Sequence, residues 1–319
     1  MPTEIDHISN IVSIYLRTNY NNPFEVEGGW FKGNIHAHTL DSDGSYAPSD
    51  IVRFYRESGY DFLSITDHGV LTDTSSFTSP RFLTIPGEEL CIGQSVNCRF
   101  THVVALNIRE EVPLADFNRE VSPQKAIDLI ADLGGSAIIA HPYWSDLNVN
   151  DLADLEGPLG IEVYNTACEY EIGRGHSSVH WDDLLVMGKR PLGFAVDDTH
   201  GRIRQYQPKD YCKAWISVKA SALTAEDIMQ SIKSGLFYSS TGPSIEDIRA
   251  EGDEIFVKSS PARSIAFISN TALGIMHTAE EGSIEDASYA LMGQEIYVRV
   301  EITDRLGRKA WSNPIYVDR

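Results

Sequence analysis

One stretch of this chain decides its fold: GNIHAHTLDSDG, residues 33–44. Its first six residues alternate in a way that predicts a buried strand. Side chains two apart on a strand point to the same face, so His36 and His38 converge while Ala37 faces away. Carboxylates follow at once, including Asp43. Neutral imidazole beside carboxylate suits Zn, Mn or Fe, so the stretch by itself is either a metal site at the end of a strand or a solvated or hydrogen-bonded pair of histidines.

Short apolar runs repeat this strand pattern along the chain. They predict further strands at residues 62–66, 82–85, 102–107, 136–140, 160–164, 192–196 and 214–218. Helix signals stand between them. Ser122 precedes Pro123, and Thr224 lies three residues before Asp227 with Gly235 closing that helix. Strands that alternate with helices predict a largely parallel sheet or barrel.

Metal-type side chains stand where these predicted strands end. His102 and Asn165 flank two of the runs, and the others are followed by Asp67 and His68, Glu88 and Glu89, His141, and Asp197, Asp198 and His200. In α/β barrels and open α/β sheets, active sites lie at the carboxyl ends of the strands. The pattern therefore predicts one site assembled from many strand ends.

Over residues 30–235 the chain resembles the PHP (polymerase and histidinol phosphatase) superfamily. The motifs of that superfamily occur here in order: His36-x-His38 with Ser42-Asp43-Gly44, Thr66-Asp67-His68, Pro86-Gly87-Glu88-Glu89, His102, Ala140-His141-Pro142 and Asp198-x-His200. Two later segments, FYSSTGP at 237–243 and GRKAWSNPI at 307–315, resemble the closing segments of the CehA/McbA-type metallohydrolases of that superfamily.

The resemblance implies an α/β fold, a distorted (βα)7 PHP barrel. After Gly235 the pattern changes to short alternating runs at 255–258, 265–269, 295–303 and 314–317, separated by Gly and Asp turns. These runs predict a small C-terminal antiparallel β-sandwich-like domain. We therefore expect an N-terminal extension packed on the barrel at 1–29, the barrel at 30–236 and the β-rich domain at 237–319.

The resemblance also implies two or three divalent metal ions, Zn, Mn or Fe, at the carboxyl end of the barrel. Carried over position by position, the metal ligands are His36, His38, Asp43, His68, Glu89, His102, His141, Asp198 and His200. The motif Pro-Gly-x-Glu favours Glu89 over Glu88, and Asp-x-His favours Asp198 over Asp197. Some relatives have a histidine where Asp43 stands, which leaves the third metal position and the metal identity open.

A catalytic role is expected for three of these ligands, Glu89, Asp198 and His200. Glu89 is the natural bridging carboxylate, since each of its oxygens can face a different ion. A hydroxide bridged by the metals attacks phosphorus in line, and His200 protonates the leaving group. Arg202 and Arg204 follow the last motif and either bind a phosphate or are surface charges in a loop, and Asn165 is expected to line the pocket.

The composition of the chain limits the kinds of partner and the cellular location that we expect. The chain has 319 residues and a formal net charge of −20, which argues against a nucleic-acid duplex as partner. No apolar run has the ~20 residues of a membrane span, and the first residues lack a signal-peptide pattern. The four cysteines show no Cys-x-x-Cys pairing, so we expect reduced thiols and a cytoplasmic protein.

The sequence thus predicts a metal-dependent phosphoesterase that acts on a small phosphorylated metabolite or nucleotide. One alternative is a carbamate, ester or amide hydrolase, because the same hydroxide attacks a carbonyl carbon. The other is a non-catalytic interaction module with a structural metal site. A pocket with positive charge favours phosphate, an apolar pocket favours an aryl carbamate, and a closed ligand shell favours the structural role.

Overall fold

The computed structural model of the protein describes residues 17–201 and 209–318. The first part contains a 3₁₀ helix, Ser75–Phe77, and these elements: β1 (Arg17–Asn19), β2 (Gly29–Asn34), α1 (Pro48–Glu57), β3 (Phe62–Ile65), β4 (Leu83–Ile92), β5 (Thr101–Leu106), α2 (Pro123–Asp132), β6 (Ser136–Ile139), α3 (Val149–Leu152), β7 (Gly160–Asn165), α4 (Thr166–Ile172), α5 (Ser178–Val186) and β8 (Leu192–Val196). The second part contains these elements: β9 (Trp215–Ala220), α6 (Ala225–Lys233), β10 (Phe237–Ser240), β11 (Ile245–Glu251), β12 (Glu254–Ala262), β13 (Ser264–Ser269), β14 (Gly274–Thr278), β15 (Ile284–Ala290), β16 (Tyr297–Thr303), β17 (Lys309–Ser312) and β18 (Ile315–Asp318).

Seven strands, β2 to β8, lie side by side in chain order. β2, β3 and β4 are parallel, as are β6, β7 and β8, whereas β5 is antiparallel to both of its neighbours. The first and last strands meet beyond their ends, where Ala37 and Thr199 form a parallel bridge and the His38 amide donates to the Thr199 carbonyl. The seven strands therefore form a distorted barrel.

The reversed strand β5 departs from the largely parallel sheet that the sequence predicts. β4 and β5 are joined by residues 93–100 only. A parallel connection needs a crossover of a dozen or more residues, so this short loop makes a hairpin. The reversal brings the start of β5 to the same end of the barrel as the carboxyl ends of its neighbours.

The helix signals in the sequence are confirmed. The Ser122 hydroxyl accepts a hydrogen bond from the Lys125 amide at the start of α2, with Pro123 at its first position. The Thr224 hydroxyl accepts from the Asp227 amide at the start of α6. Each cap satisfies an amide that the helix itself leaves without a partner, which fixes where the helix begins.

Apolar side chains fill the barrel below its polar end. One buried cluster draws its members from five barrel strands and from α6, among them Phe62, Ile85, Val104, Ile138, Phe194 and Ile228. Burial of such side chains stabilises each by about 1.5–3 kcal/mol. The packed interior confines polar side chains to the carboxyl end of the barrel.

The C-terminal strands build a second layer that is continuous with the barrel sheet. β10 pairs with β9 on one side and with β17 on the other, so the large sheet runs on through β17, β16, β18 and β1. A separate sheet of β11, β12 and β15 packs on it through a shared apolar core that includes Ile255 and Val300. β1, in the described part of the predicted N-terminal extension, pairs with β18.

Candidate metal centre

Nine side chains meet at the carboxyl end of the barrel, and we call them the donor cluster: His36, His38, Asp43, His68, Glu89, His102, His141, Asp198 and His200. The assigned strand β2 ends at Asn34, before the two histidines that the sequence places on it. The extended alternation continues, however, because Ala37 bonds to both neighbouring segments. His36 and His38 therefore still point to the same side.

Four atoms of the donor cluster have the spacing of a tetrahedral ligand set. Nε2 of His36 and Nε2 of His38 are 3.1 Å apart. Both lie 3.0–3.2 Å from Oε2 of Glu89 and Oδ1 of Asp198. Ligand atoms at 2.0–2.1 Å from a zinc ion are about 3.3–3.4 Å apart in a tetrahedron. Oδ1 of Asp198 is buried and has no partner in hydrogen-bonded geometry, so the group fits a cation at its centre.

Three histidines of the cluster are held by their outer nitrogen. Nδ1 of His36 lies 2.6 Å from Oε1 of Glu162, and Nδ1 of His200 lies 2.9 Å from the Asp198 carbonyl. Nδ1 of His141 lies 2.9 Å from the Ser145 hydroxyl. An Nδ1–H donated outward leaves the Nε2 lone pair directed inward, which is the tautomer that a metal ligand needs.

Glu89 presents its two oxygens to different histidines. Oε2 faces His36 and His38, while Oε1 lies 2.9 Å from Nδ1 of His102 and 3.3 Å from Nε2 of His141. Glu89, His102 and His141 form a second compact donor group. Glu89 thus gives one carboxylate oxygen to each of the two donor groups, which is how a carboxylate bridges two metal ions.

A third donor group is more exposed. Oδ1 of Asp43 lies 3.3 Å from Nε2 of His200, 3.8 Å from Nδ1 of His38 and 3.9 Å from Nε2 of His68. The Asp43 side chain is 43% exposed, whereas Glu89 is 1% exposed. This group is accessible from the mouth of the site.

A fourth group contains two residues outside the predicted ligand set. Sγ of Cys91 lies 3.4 Å from Nδ1 of His68, and Oδ2 of Asp116 lies 3.7 Å from the same nitrogen. Oδ1 of Asp116 accepts a hydrogen bond from the Cys91 amide. The group therefore borders the donor cluster on the His68 side.

The two alternatives for each acidic motif occupy different environments. Glu88 accepts a hydrogen bond from the Val112 amide, away from the cluster, and burial raises its pKa to about 7. Asp197 accepts hydrogen bonds from the Tyr55 hydroxyl and the Ala214 amide. Burial raises the pKa of Asp197 to about 6. The geometry brings Glu89 and Asp198, rather than their neighbours, to the imidazoles. Glu88 and Glu89 point in opposite directions because side chains alternate along β4, whereas Asp198 lies in the turn beyond the end of β8.

The charged side chains of the donor cluster shift one another's pKa values. Burial alone would lower the pKa of His38, but the adjacent carboxylates of Asp198 and Glu89 raise it to about 10. Burial would raise the pKa of Glu89, but His36, His68 and His102 hold it well below its usual range. The carboxylates are therefore ionised and attract positive charge.

Two donors adopt backbone conformations that other residues avoid. His141 has φ +28° and Asp198 has φ +52°, both in the region that favours glycine. Such conformations cost about 1–3 kcal/mol each and persist where surrounding structure enforces them. Asp210 enforces one of them, because its carboxylate accepts from the Thr199 hydroxyl and from the His200 and Gly201 amides.

Further carboxylates position the donor loops. Asp67 accepts from the Thr39 amide and hydroxyl and from the Ser42 hydroxyl, which ties down the loop that carries Asp43. Asn165 is buried and donates to Glu162 and Asp198, while its own oxygen caps α4. The cavity that opens on the cluster is not lined by Asn165, so the structure places this residue beneath the cluster.

This cavity has a volume of about 400 Å³. Besides donor residues, its described lining includes four aromatic side chains and two arginines: Arg99, Phe100, Phe117, Arg119, Trp144 and Tyr170. Arg202 and Arg204, which the sequence analysis proposed for phosphate binding, lie outside the described residues.

Sequence reasoning missed Glu162, Arg99 and Arg119. Glu162 had a usable signal, because it is a carboxylate inside an otherwise apolar strand, β7. The arginines lie in loops whose path the sequence does not reveal.

Within residues 17–201 and 209–318, no helix combines the length and apolar character that a membrane crossing requires.

Comparison with solved structures shows the fold. A two-domain protein of Bacteroides vulgatus, described as containing a predicted PHP-like metal-dependent phosphoesterase, superposes with a TM-score of 0.51 at 14% identity. The match covers 87% of this chain and 91% of that one. The predicted fold class, a PHP-like α/β barrel with an added β-rich domain, is thereby confirmed.

Other comparisons cover less of the chain. A lesion-specific endonuclease of Pyrococcus furiosus matches with a TM-score of 0.44 at 12% identity, covering 64% of this chain and 56% of that one. An uncharacterized protein of Methanocaldococcus jannaschii is 25% identical over 147 residues, 42% of this chain and 81% of that protein. No family model matches the chain.

Proposed function

We propose that this protein is a metal-dependent phosphoesterase that cleaves a small phosphorylated metabolite or nucleotide. The observation that carries the proposal is the tetrahedral group of His36, His38, Glu89 and Asp198. Its four donor atoms stand 3.0–3.2 Å apart along the five measured edges, and one buried carboxylate oxygen lacks a hydrogen bond. Two imidazole nitrogens and two carboxylate oxygens this close together in a buried site favour a cation at their centre.

The residues divide between two or three ions. His36, His38, Glu89 and Asp198 would hold one, Glu89 with His102 and His141 a second, and Asp43 with His68 and His200 a third. When bound, such ions lower the pKa of water toward 7 and neutralise charge on a phosphate. Imidazole and carboxylate ligands suit Zn, Mn or Fe.

The chain's own residues prepare and orient the site. Glu162 holds the His36 tautomer, and Asn165 orients Asp198. We assign Asn165 this positioning role in place of substrate contact. His200 donates Nδ1–H to the Asp198 carbonyl, so its Nε2 would bind the third ion, or would hold or move a proton where only two ions are bound.

Catalysis is favoured over a purely structural metal site by the cavity. The group of His36, His38, Glu89 and Asp198 supplies four protein ligands, as a structural site does. The second group, Glu89 with His102 and His141, supplies only three and leaves a position open, as a catalytic site does. Here a cavity of about 400 Å³ reaches Asp43, His68, His102 and His200. The aromatic wall of the same cavity also suits the second candidate function, hydrolysis of an aryl carbamate or ester.

The free thiols of the described chain are compatible with the cytoplasmic location that we propose.

Metal analysis and a substrate panel test the proposal. The purified protein is loaded with Mn, Zn or Fe and offered a phosphomonoester, a phosphodiester and a carbamate. We expect at least two ions per chain and turnover of a phosphate ester. His38→Ala should lose metal and activity, whereas His277→Ala, a histidine on β14, should keep both.

Two results would contradict the proposal. Turnover of the carbamate without any phosphate ester would transfer the assignment to the second candidate. No turnover at all, together with a full metal complement in His38→Ala, would leave neither enzyme function standing.

A further inference from the structure

We infer that the cavity binds the organic group of the substrate, and that this group carries a flat aromatic ring and an anionic group of its own. The inference rests on the proposed function, because it names the substrate class of the same site. It is drawn from aromatic side chains that contact the imidazoles of the donor cluster and from two guanidinium groups that line the same cavity.

Aromatic side chains flank the cluster on two sides. The ring centre of Phe117 lies 5.8 Å from that of His68, and the ring centre of Trp144 lies 5.1 Å from that of His141 and 5.9 Å from that of His102. Aromatic groups attract each other in offset or edge-to-face contact at such distances. A flat ring that enters the cavity would therefore meet aromatic surface beside the reacting centre.

Phe117 is held in place against its own preference. Its φ is +55° and its side chain is 60% exposed. A bulky residue in the left-handed region is strained, and an exposed ring gains little from burial. The neighbours enforce the position, because Asp116 accepts from the Cys91 amide and the Asn118 amide donates to the Cys91 carbonyl. The Phe117 ring meets Phe100 edge-on at 5.7 Å between ring centres but stays largely exposed beside the donor cluster, so the strain held there points to a role in binding.

Two arginines supply positive charge on the same side. The Arg119 guanidinium lies over the Phe100 ring at 4.2 Å and donates to the Cys98 carbonyl, which fixes its place. Arg99 lines the cavity next to it. Among residues 17–201 and 209–318, neither guanidinium has a carboxylate within 4.0 Å.

These arginines are therefore available to an external anion. A guanidinium binds carboxylate or phosphate through paired hydrogen bonds. Because the phosphate to be cleaved would sit on the metal ions, the arginines would bind a second anionic group. A nucleotide with a further phosphate and a carboxylated aryl compound share this chemistry.

The inference is tested with three phosphate esters that differ in one feature at a time: cyclohexylmethyl phosphate, benzyl phosphate and 4-carboxybenzyl phosphate. All three release a primary alcohol, so their intrinsic reactivities are similar. With metal-loaded wild-type protein we expect kcat/KM to rise about fivefold to tenfold from the first to the second, as an aromatic contact supplies. We expect about a further tenfold rise for the third, from a charge-assisted hydrogen bond. AMP and ADP then distinguish a nucleotide from a carboxylated aryl substrate.

Three variants assign each preference to its residue. Phe117→Asn removes the ring and suits the left-handed backbone, so the preference for benzyl should disappear while the melting temperature stays level or rises. Arg99→Gln and Arg119→Gln should raise KM for 4-carboxybenzyl phosphate and leave kcat nearly unchanged. Arg81→Gln, an exposed arginine outside the cavity lining, is the matched control and should keep both preferences.

Each failure has its own signature. Equal kcat/KM for the three esters overturns the inference and leaves the proposed phosphoesterase intact. A benzyl preference that survives in Phe117→Asn overturns the role of this ring. No turnover of any phosphate ester overturns the proposed function and the inference together.

Discussion

The donor cluster and the ion pairs that β16 makes with α5 and β17, named here the α5–β16 pairs, both bury charged side chains, but they pair them differently. In the second region, Nε and Nη2 of Arg299 donate to the two oxygens of Asp182 at 2.7 and 2.6 Å, and Glu301 accepts from Arg299, Lys309 and Trp311. Positive groups there face negative ones. In the donor cluster, two Nε2 atoms face each other at 3.1 Å and Oδ1 of Asp198 has no hydrogen bond.

The contrast separates two uses of buried charge. The α5–β16 pairs are complete within the chain, so they join the barrel to the C-terminal sheet without any ligand. The donor cluster instead brings several imidazole nitrogens together around Glu89 and Asp198, an arrangement that a bound cation would complete. Substitutions in the two regions should therefore affect different measurements.

The largest effect is expected at Glu89. Glu89→Gln keeps the volume but removes the negative charge that faces both donor groups. Metal ions at such sites supply several kcal/mol of transition-state stabilisation, so activity should fall by about 10³-fold or more. Metal content by mass spectrometry should fall in parallel.

Glu301→Gln is the matched control for Glu89→Gln, since it places the same change among the α5–β16 pairs. It should retain its metal and activity. A Glu89→Gln protein with full metal content and near-normal turnover would erase the distinction between the two regions.

Breaking the α5–β16 pairs should reduce stability instead. Asp182→Ala leaves the guanidinium of Arg299, which is 2% exposed, without its bidentate partner. Loss of one member of a buried pair costs about 3 kcal/mol. Urea denaturation should show a lower midpoint, while kcat per folded molecule stays the same. Asp183→Ala, at the exposed neighbouring position on α5, should change the midpoint little, and an equal loss there would contradict the assignment.

A smaller effect is expected at Glu162, which touches the donor cluster from behind. Glu162→Gln weakens the hold on Nδ1 of His36 and on the His141 amide. Partners of metal-binding histidines typically contribute 10–100-fold in metal affinity or activity. Titration with metal should restore much of the rate, since the residue positions a ligand. A rate deficit that persists at saturating metal would assign Glu162 a different role.

The smallest effect is a pH dependence in the α5–β16 pairs. Burial alone would raise the pKa of Glu301, but Lys309 and Arg299 lower it below its ordinary value. A carboxylate with a lowered folded-state pKa stabilises the protein above the unfolded pKa of about 4.3, and this contribution is lost as pH falls through the folded value. The free energy of unfolding of the wild-type protein should exceed that of Glu301→Gln by about 1.5 kcal/mol at pH 7. Urea titrations at pH 7 and below pH 4 should show this difference shrinking, and a constant difference would contradict the charge pairing.

The regular elements of the barrel were predictable because local signals set them. The runs at 62–66, 136–140 and 192–196 match β3, β6 and β8 to within one residue. The strands β11, β14 and β15 were not predicted, because they are half exposed and their alternation is weak. The direction of β5 was not predicted either, since it depends on the connection from β4, which is too short for a crossover.

The sequence could predict which residues form the donor cluster, but it could not predict which residues contact one another there. The order of the motifs singled out all nine donors, which the structure brings together. It could not show that Glu162 holds His36, because these residues are 126 positions apart and meet only through the barrel. It also could not show Cys91 and Asp116 beside His68.

By itself, the sequence determined which residue types stand at the ends of strands, because strand period, helix caps and short motifs are local properties. Only the tertiary structure decided which nitrogen of each histidine points inward, which oxygen of Glu89 faces which histidines, and which side chains wall the cavity. Those features depend on contacts between segments far apart in the chain. Closure of the barrel sets these distances, and it is a property of the whole fold.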